Sequence, residues 1–450
     1  MTNYFSKQFE HLVIIWLLKY VGSQLDCGQY GGVRGSSISH YLINFINFIL
    51  FNQDLKIPQA VVAVMIDFSK AFNRINHNTI ITILSRMGVP GWLLKIVIAF
   101  LTERELIVRH KGKSSKRKSL PGGGPQGTKL GLLLFLILIN AVGYPNLEKN
   151  LGSKVTTKLG KRTPLKNIHM KYVDDLSLAQ AVDLKECLIP NPNPTRPLAY
   201  HERTNHILPA QAFSLQNDLN DLVQYSASHE MVINTKKCKV MLFNTAKKYD
   251  CSPELTLPGL GCDNLEVVEH FKLLGVHIRS DLKWHDNTQY ICQRGYQRLW
   301  MLRRLKMLGA TESELLDVYE KQVRSVLELA VPAWQSALTQ TESNQIERVQ
   351  KTAFYIILGE KYENYENALY ILKKEGLNMR RIKLCEKFAK KCLKNPKYNN
   401  WFIPNERVPP NIRTRGNQKK TAYKFKEVQA RTDRYTKSPI PYLTRLLNNP

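Results

Sequence analysis

Met170-Lys171-Tyr172-Val173-Asp174-Asp175-Leu176-Ser177-Leu178-Ala179 sets two adjacent acids between short apolar runs. Met170–Val173 and Leu176–Ala179 each have strand length, with the acids at the junction. An ionised carboxylate at the end of an apolar strand is costly unless a cation or hydrogen bonds compensate it. Two in succession also repel each other, and a bound cation resolves that repulsion. A plain hairpin turn is the bland alternative.

A second carboxylate has the same setting. Ala60–Ile66 is seven consecutive apolar residues, mostly β-branched or small, ending at Asp67. It reads as a buried strand finishing in a charge. Taken singly, Asp67 suits an ordinary cap at a strand-to-turn junction. Asp67 and Asp174 are 107 residues apart, yet both can project from one edge of one sheet. Hard divalent cations want oxygen ligands of this kind. Two-metal phosphoryl transfer needs carboxylates that hold two ions about 4 Å apart.

Farther out, the N-terminal region carries a helical apolar face (Phe9, Leu12, Ile15, Trp16, Leu18), then a glycine-rich turn at Gly28–Gly35 and a helix around His40–Phe51. Asn78 is the expected N-cap of a short helix stopped by Gly88 and Pro90, and Trp92–Leu101 repeats the helical pattern. The apolar stretch Leu130–Ile139 falls short of the roughly 20 residues a membrane span needs and reads as a buried helix. Five prolines between Asp183 and Gln211 predict an irregular surface insertion. Strands are expected at Met231–Phe243 and Phe271–Ile278. Helices follow through Leu299–Leu308, Leu315–Val326 and Ile346–Ile356, and from about Trp401 the period fades into a basic tail.

The chain has 65 Lys+Arg against 37 Asp+Glu, a net charge of +28, so its field favours polyanions, nucleic acid first among them. Residues 376–450 hold 19 basic against 4 acidic side chains, over half of the excess, and a second knot comprises Lys111, Lys113, Lys116, Arg117 and Lys118. The eight cysteines form no CxxC pair, which argues against a zinc knuckle. Scattered thiols and no visible secretory signal suit an intracellular protein of nucleus or cytoplasm, neither secreted nor membrane-bound.

YVDD between apolar segments resembles motif C of reverse transcriptases, and Ala63-Val-Met-Ile-Asp-Phe-Ser-Lys-Ala-Phe72 resembles their motif A. Leu120–Thr128 (LPGGGPQGT) with the apolar helix after it is similar to motif B, Ile233–Phe243 to motif D, and Phe271–Val276 to the primer-grip motif E. All five stand in the family's order. VRSVLELAVPAW and IERVQKTAFYIILG are similar to the thumb and post-thumb segments of jockey-like, LINE-like non-LTR retrotransposons. The resemblance covers roughly residues 5–400.

It implies an α+β right-hand polymerase, with partial fingers at 1–60 and a palm around a small antiparallel sheet at 61–280. The palm would carry a finger segment at about 85–120 and the Pro-rich insertion at 183–211. A helical thumb and post-thumb region would span 281–400, and a basic tail 401–450. It implies that Asp67 and Asp174 are the principal ligands of two Mg²⁺ ions (Mn²⁺ as substitute), with Asp175 in support. Phe72 falls at the steric-gate position that rejects a 2′-hydroxyl. Phe68, Gln126 and Gly127 belong to the dNTP and template pocket, and glycine there lets backbone approach nucleic acid closely. Lys237 matches the motif D lysine, with its neighbours Lys236 and Lys239 as alternatives. Arg294, Arg298, Arg303 and Arg304 are expected to hold duplex phosphates. The implied partners are an RNA template, a DNA primer and dNTPs.

The chain departs from the family pattern at Asn73, Leu132 and Ala141, positions outside the metal-binding set. The family's early fingers motif, with a basic residue against the triphosphate, is expected upstream of this chain's first residues, as is an endonuclease domain. Arg34 lies nearby and is not assigned that role. A viral RNA-dependent RNA polymerase would favour GDD and a small or polar residue at position 72. The other rivals are a group II intron maturase and a truncated or domesticated protein that binds RNA without catalysis.

Overall fold

The structure, a computed structural model, describes residues 4–120, 122–125, 127–140, 166–183, 189–190, 205–209, 214–245, 250–261, 264–405 and 424–449. At its centre lie five strands: β1 (Ala60–Ile66), β2 (Asn167–Tyr172), β3 (Asp175–Val182), β4 (Lys239–Phe243) and β5 (Glu266–Val267). Their order across the sheet is β5-β4-β1-β3-β2. All neighbours pair antiparallel except β5, which runs parallel to β4.

Every residue of β1 is buried, because both faces of the sheet are covered, and a doubly covered strand shows no polar alternation. Side chains still alternate between faces. Val61, Ala63 and Met65 enter one core with Met241, Phe243 and the helix α2 defined below. Val62, Val64 and Ile66 enter a second core with Leu176, Leu178 and Val240.

The helices that close these cores are α1 (Tyr4–Val21), α2 (Ile38–Gln53), α3 (His77–Arg86), α4 (Gly91–Leu101), α5 (Lys129–Asn140), α6 (Ser214–Ser228), α7 (His285–Met307), α8 (Gln340–Leu358), α9 (Leu377–Leu393) and α10 (Pro439–Asn448). Helices α1 and α3–α6 cover one face, while α2 and α7–α10 extend the core on the other. Helices α7 and α8 approach closely at Gly295, where an added Cβ would meet Val349 Cγ1 at 2.9 Å. Between α4 and α5, Arg104–Leu106 pairs with Lys118–Leu120 and Arg109–His110 with Lys113–Ser114. The basic knot therefore sits on an exposed hairpin.

Five expectations are corrected. The N-cap of α3 is Asn76, whose Oδ1 accepts from the amides of Asn78 and Thr79. Met231–Phe243 is strand only from Lys239, because Ile233 and Asn234 bond to the segment just past β1 instead. Phe271–Ile278 is a tight hairpin, β6 (His270–Leu273) and β7 (Val276–Arg279), reversed at Leu274 and Gly275 with φ of 50° and 85°. The insertion is not wholly irregular: Ile189–Pro190 and Asn205–Leu208 pair together, and the latter pairs with Asp250–Pro253.

The basic tail also contains folded structure. Asp54, at the end of α2, accepts from the amides of Arg431 and Thr432 and from the Thr432 hydroxyl. Helix α10 buries Ile440, Leu443 and Leu447, an i, i+3, i+7 spacing that makes one apolar face. Residues 406–423, like Ala141, lie outside the described residues.

Candidate active site

Tyr172 pairs with Asp175 across the β2–β3 hairpin, so Val173 and Asp174 alone make the turn. Val173 has φ of 61°, a left-handed conformation that a β-branched residue adopts only under strain. Across β1, Ile66 stands opposite Leu176. The next residue on each strand toward that edge is a carboxylate, Asp67 on one and Asp175 on the other. The register thus brings Asp67, Asp174 and Asp175 to a common sheet edge.

Their protonation reflects that proximity. Burial, then the charges of Asp174 and Asp67, push the Asp175 carboxyl up to about 6. Burial also leads the rise at Asp174, which the Asp67 charge reinforces and its own backbone and Lys237 oppose. Lys237 Nζ stands 3.4 Å from Asp67 Oδ2. It is held there because Asn234 donates its amide to the Asp67 carbonyl at 2.8 Å and accepts from the Lys237 amide at 3.0 Å. Lys239 instead pairs with Glu266, and Lys236 is exposed. Among the three candidate lysines, the geometry brings Lys237 to the carboxylates.

The residues fit a hard cation in part. Asp67 Oδ2 is buried and, beyond the ion pair with Lys237, makes no hydrogen bond among the described residues, and the neighbouring acids repel; a divalent ion would relieve both. Among the described residues, however, no three His, Cys, Asp or Glu side chains converge as a ready-made metal shell.

Phe72 lies in a short 3₁₀ turn, Ala71–Arg74, and its ring stacks on Phe135 of α5 at 4.3 Å between centroids. Its carbonyl accepts from the Gly124 amide at 2.7 Å, and Gly123 donates to the Ile75 carbonyl at 2.9 Å. The glycine loop is thereby tied to the turn that carries the aromatic. Gly123 has φ of 80°, and an added Cβ would meet the Asn73 carbonyl at 2.9 Å, so only glycine fits there. Gly127 is exposed with φ of 82°, and Gln126 lies outside the described residues. Phe68 is corrected: its ring is 4 % exposed in the second core, because the residue bridges to Ile233 instead of facing the cleft.

Two residues not anticipated from the sequence fasten the same loop. Arg104 donates to the carbonyls of Gly122 (2.9 Å) and Gly123, and His77 Nε2 lies 2.9 Å from the Gly123 carbonyl oxygen. On α7, Arg294, Arg303 and Arg304 are exposed, whereas Arg298 donates to the Gln322 carbonyl and serves the helix packing. Tyr296, Trp300 and Met307 share the face of Arg303 and are 42, 64 and 76 % exposed. Their i, i+4, i+11 spacing, out of phase with the buried Leu299 and Leu302, is the available sequence signal. Arg34 is exposed in the Gly28–Gly35 turn.

The chain is 22 % identical over 275 residues to a probable RNA-directed DNA polymerase from transposon BS of Drosophila melanogaster, a match covering 61 % of this chain and 26 % of that relative. It thus spans about a quarter of that relative's length. Solved structures similar to it include the apo telomerase of Candida tropicalis (TM-score 0.38, 13 % identity, 85 % of this chain and 55 % of that one). Another is the Candida albicans telomerase in complex with a fragment of telomeric RNA (TM-score 0.35, 10 % identity, 86 % and 55 %). Residues 2–278 match the reverse transcriptase (RNA-dependent DNA polymerase) family. The chain belongs to that family, and its α+β architecture is the family's right-hand polymerase.

Proposed function

We propose that this chain is the RNA-directed DNA polymerase of a non-LTR, jockey-like retrotransposon, adding dNMP to a primer 3′ end on an RNA template. The observation that carries the reading is the gathering of Asp67, Asp174 and Asp175 at one sheet edge, where burial and mutual charge raise the carboxyls of Asp174 and Asp175. Asp67 and Asp174, supported by Asp175, would hold Mg²⁺. When bound, the two ions activate the primer hydroxyl and neutralise charge developing on the triphosphate.

The protein's own groups do the rest. Lys237, released from Asp67, offers a cation or a proton to the leaving pyrophosphate. The Phe72 ring, fixed by Phe135, closes the space a 2′-hydroxyl would need. Gly127 belongs to the glycine loop, held by Arg104 and His77, that would face nucleotide and template, and Gln126 is assigned to the same pocket on the motif alone. Arg294, Arg303 and Arg304 meet duplex phosphates without reading sequence.

No helix among the described residues is long and apolar enough to cross a membrane. An intracellular setting, in nucleus or cytoplasm, follows from the partners proposed: RNA template, DNA primer and dNTPs. Primer extension on an RNA template tests the reading. Mg²⁺-dependent extension that survives Asp174→Asn refutes it, and RNA binding with no extension by the parent chain identifies a non-catalytic RNA-binding protein.

A further inference from the structure

The turn that carries Asp174 is braced from behind by a segment the proposed chemistry does not use. Gly28–Gly31 lies against β2, where Lys171 donates its amide to the Gly28 carbonyl at 2.9 Å and accepts from the Tyr30 amide at 2.8 Å. Between these bonds, the Gln29 side chain is 3 % exposed. Its Oε1 accepts from the Val173 amide at 3.2 Å and from the Gly31 amide at 3.0 Å. Both partners are donors, so the oxygen has to be the atom that faces them. The Gln29 Nε2 is buried without a hydrogen-bond partner among the described residues.

Val173 is the strained residue of the turn, with φ of 61°, and Gln29 holds its amide. Nothing bulkier fits behind: a Cβ on Gly31 would stand 2.6 Å from the Val173 nitrogen. The segment is anchored at both ends. Asp26 pairs with the buried Lys171 at 2.8 Å. Lys397, beyond α9, donates to the Gln29 carbonyl at 2.9 Å and sits 4.4 Å from the centre of the Tyr30 ring.

We infer that Gln29 is a positioning residue for the carboxylate turn: its side-chain oxygen fixes the Val173 amide and so sets where Asp174 presents its carboxylate to metal. Gln29 touches neither substrate nor metal and acts through the turn. The inference rests on the polymerase reading above. Groups that orient ligands in this way typically change metal affinity or rate about 10- to 100-fold when lost.

The test compares Gln29→Leu and Gln29→Glu with the parent. The leucine removes the acceptor at similar size. The glutamic acid keeps an oxygen at the same place and alters only the nitrogen position, which has no partner among the described residues. Mn²⁺ affinity by electron paramagnetic resonance, with a primer–template duplex present, is read beside kcat and dNTP KM in extension. Gln29→Leu is expected to weaken Mn²⁺ binding and lower kcat by about tenfold or more, with KM and duplex affinity within about twofold. Gln29→Glu recovers most of both at about pH 6, where a buried acid stays protonated, and loses them as pH rises and its charge joins the carboxylates.

Parent-like Mn²⁺ affinity and kcat in Gln29→Leu overturn the inference alone. A parent that binds no Mn²⁺ overturns the metal reading and the inference with it, and a parent that binds Mn²⁺ without extending primers overturns only the polymerase reading. If Gln29→Leu does not fold, Gln29→Glu decides: the stated pH dependence supports the role, and a flat profile refutes it.

Discussion

Asp175→Asn tests the electrostatics of the site without any substrate. In the metal-free protein the Asp175 carboxyl titrates near 6, raised by burial and by the charges of Asp174 and Asp67. An unfolded aspartate titrates near 3.9. The folded state therefore binds the extra proton between these values, so stability is fully present below about pH 4 and is lost as pH rises through about 6. Roughly two pH units at about 1.4 kcal/mol each sets an upper bound near 3 kcal/mol. The carboxyl is partly solvated, which cuts that to on the order of 1–2 kcal/mol. Removing the charge returns it, so Asp175→Asn at about pH 7.5 in EDTA is expected to melt about 1–2 °C above the parent, the scale for a chain of this length. The gain should shrink toward about pH 4.5, and saturating Mg²⁺ should reduce it by stabilising the parent more than the variant. Thermal denaturation from about pH 4.5 to 8 reads all three. A variant less stable than the parent at the upper end of that range would refute the reasoning, because a carboxylate that serves as a structural hydrogen-bond acceptor is lost at a cost.

The other perturbations address recognition and architecture. Phe72→Val should admit rNTPs while dNTP incorporation persists, at a stability cost of about 1 kcal/mol for the missing stack on Phe135; an active variant that rejects rNTPs as strictly as the parent sinks the gate assignment. Glutamine at Lys111, Lys113, Lys116 and Arg117 together should flatten the logarithmic salt dependence of nucleic-acid binding by about 0.7–0.9 for each phosphate no longer neutralised. An unchanged slope removes the exposed hairpin from the interface. Glutamine at Lys387, Lys391 and Lys394 asks the same of α9, where the three are exposed along one face or just beyond its end. Deleting residues 424–449 should destabilise the fold rather than merely weaken binding, because it uncovers the Asp54 carboxylate and the apolar face of α10's partners. An unaltered melting temperature would show the segment to be dispensable.

What is legible in the sequence follows from burial. The doubly covered strand β1 leaves seven apolar residues in a row, and its abrupt end at Asp67 marks the sheet edge. The hairpin at Val173 and Asp174 is legible from its two adjacent acids between strand-length runs, although β2 itself carries Asn167, His169 and Lys171. Helix α10 is periodic too, but its apolar face is short and set among prolines and basic residues that mask it. Other features leave no local trace. Lys237 reaches Asp67 only because Asn234 and Ile233 bond to the backbone past β1, and the strand period of Met231–Phe243 does not encode that break. Phe68 reads as a pocket residue by its place in a motif, but the bridge to Ile233 turns its ring into the core.

The carboxylate turn shows why the geometry of a proposed site is harder to read than its carboxylates. Two acids between strands announce charge, but their placement depends on Val173 adopting φ of 61°, which valine disfavours on its own. The conformation persists because distant segments over-determine it: the β2–β3 pairing, the Gln29 oxygen on the Val173 amide and the absence of a Cβ at Gly31. Gln29 is 144 positions from Val173, and Lys397, which holds the Gln29 carbonyl, is 368 positions from Gln29. Neither has a period or motif that marks it as part of a site. A motif therefore records which atoms do chemistry, while the residues that hold those atoms still are dispersed through the fold and become visible only in three dimensions. On this argument, losses of rate without loss of duplex binding should map to residues that touch the turn from behind, such as Gly31 and Lys171, as well as to the acids. A saturation scan of Gly28–Gly35 read by extension and by duplex affinity separately would expose a brace with no such role, because its variants would lose both together or neither.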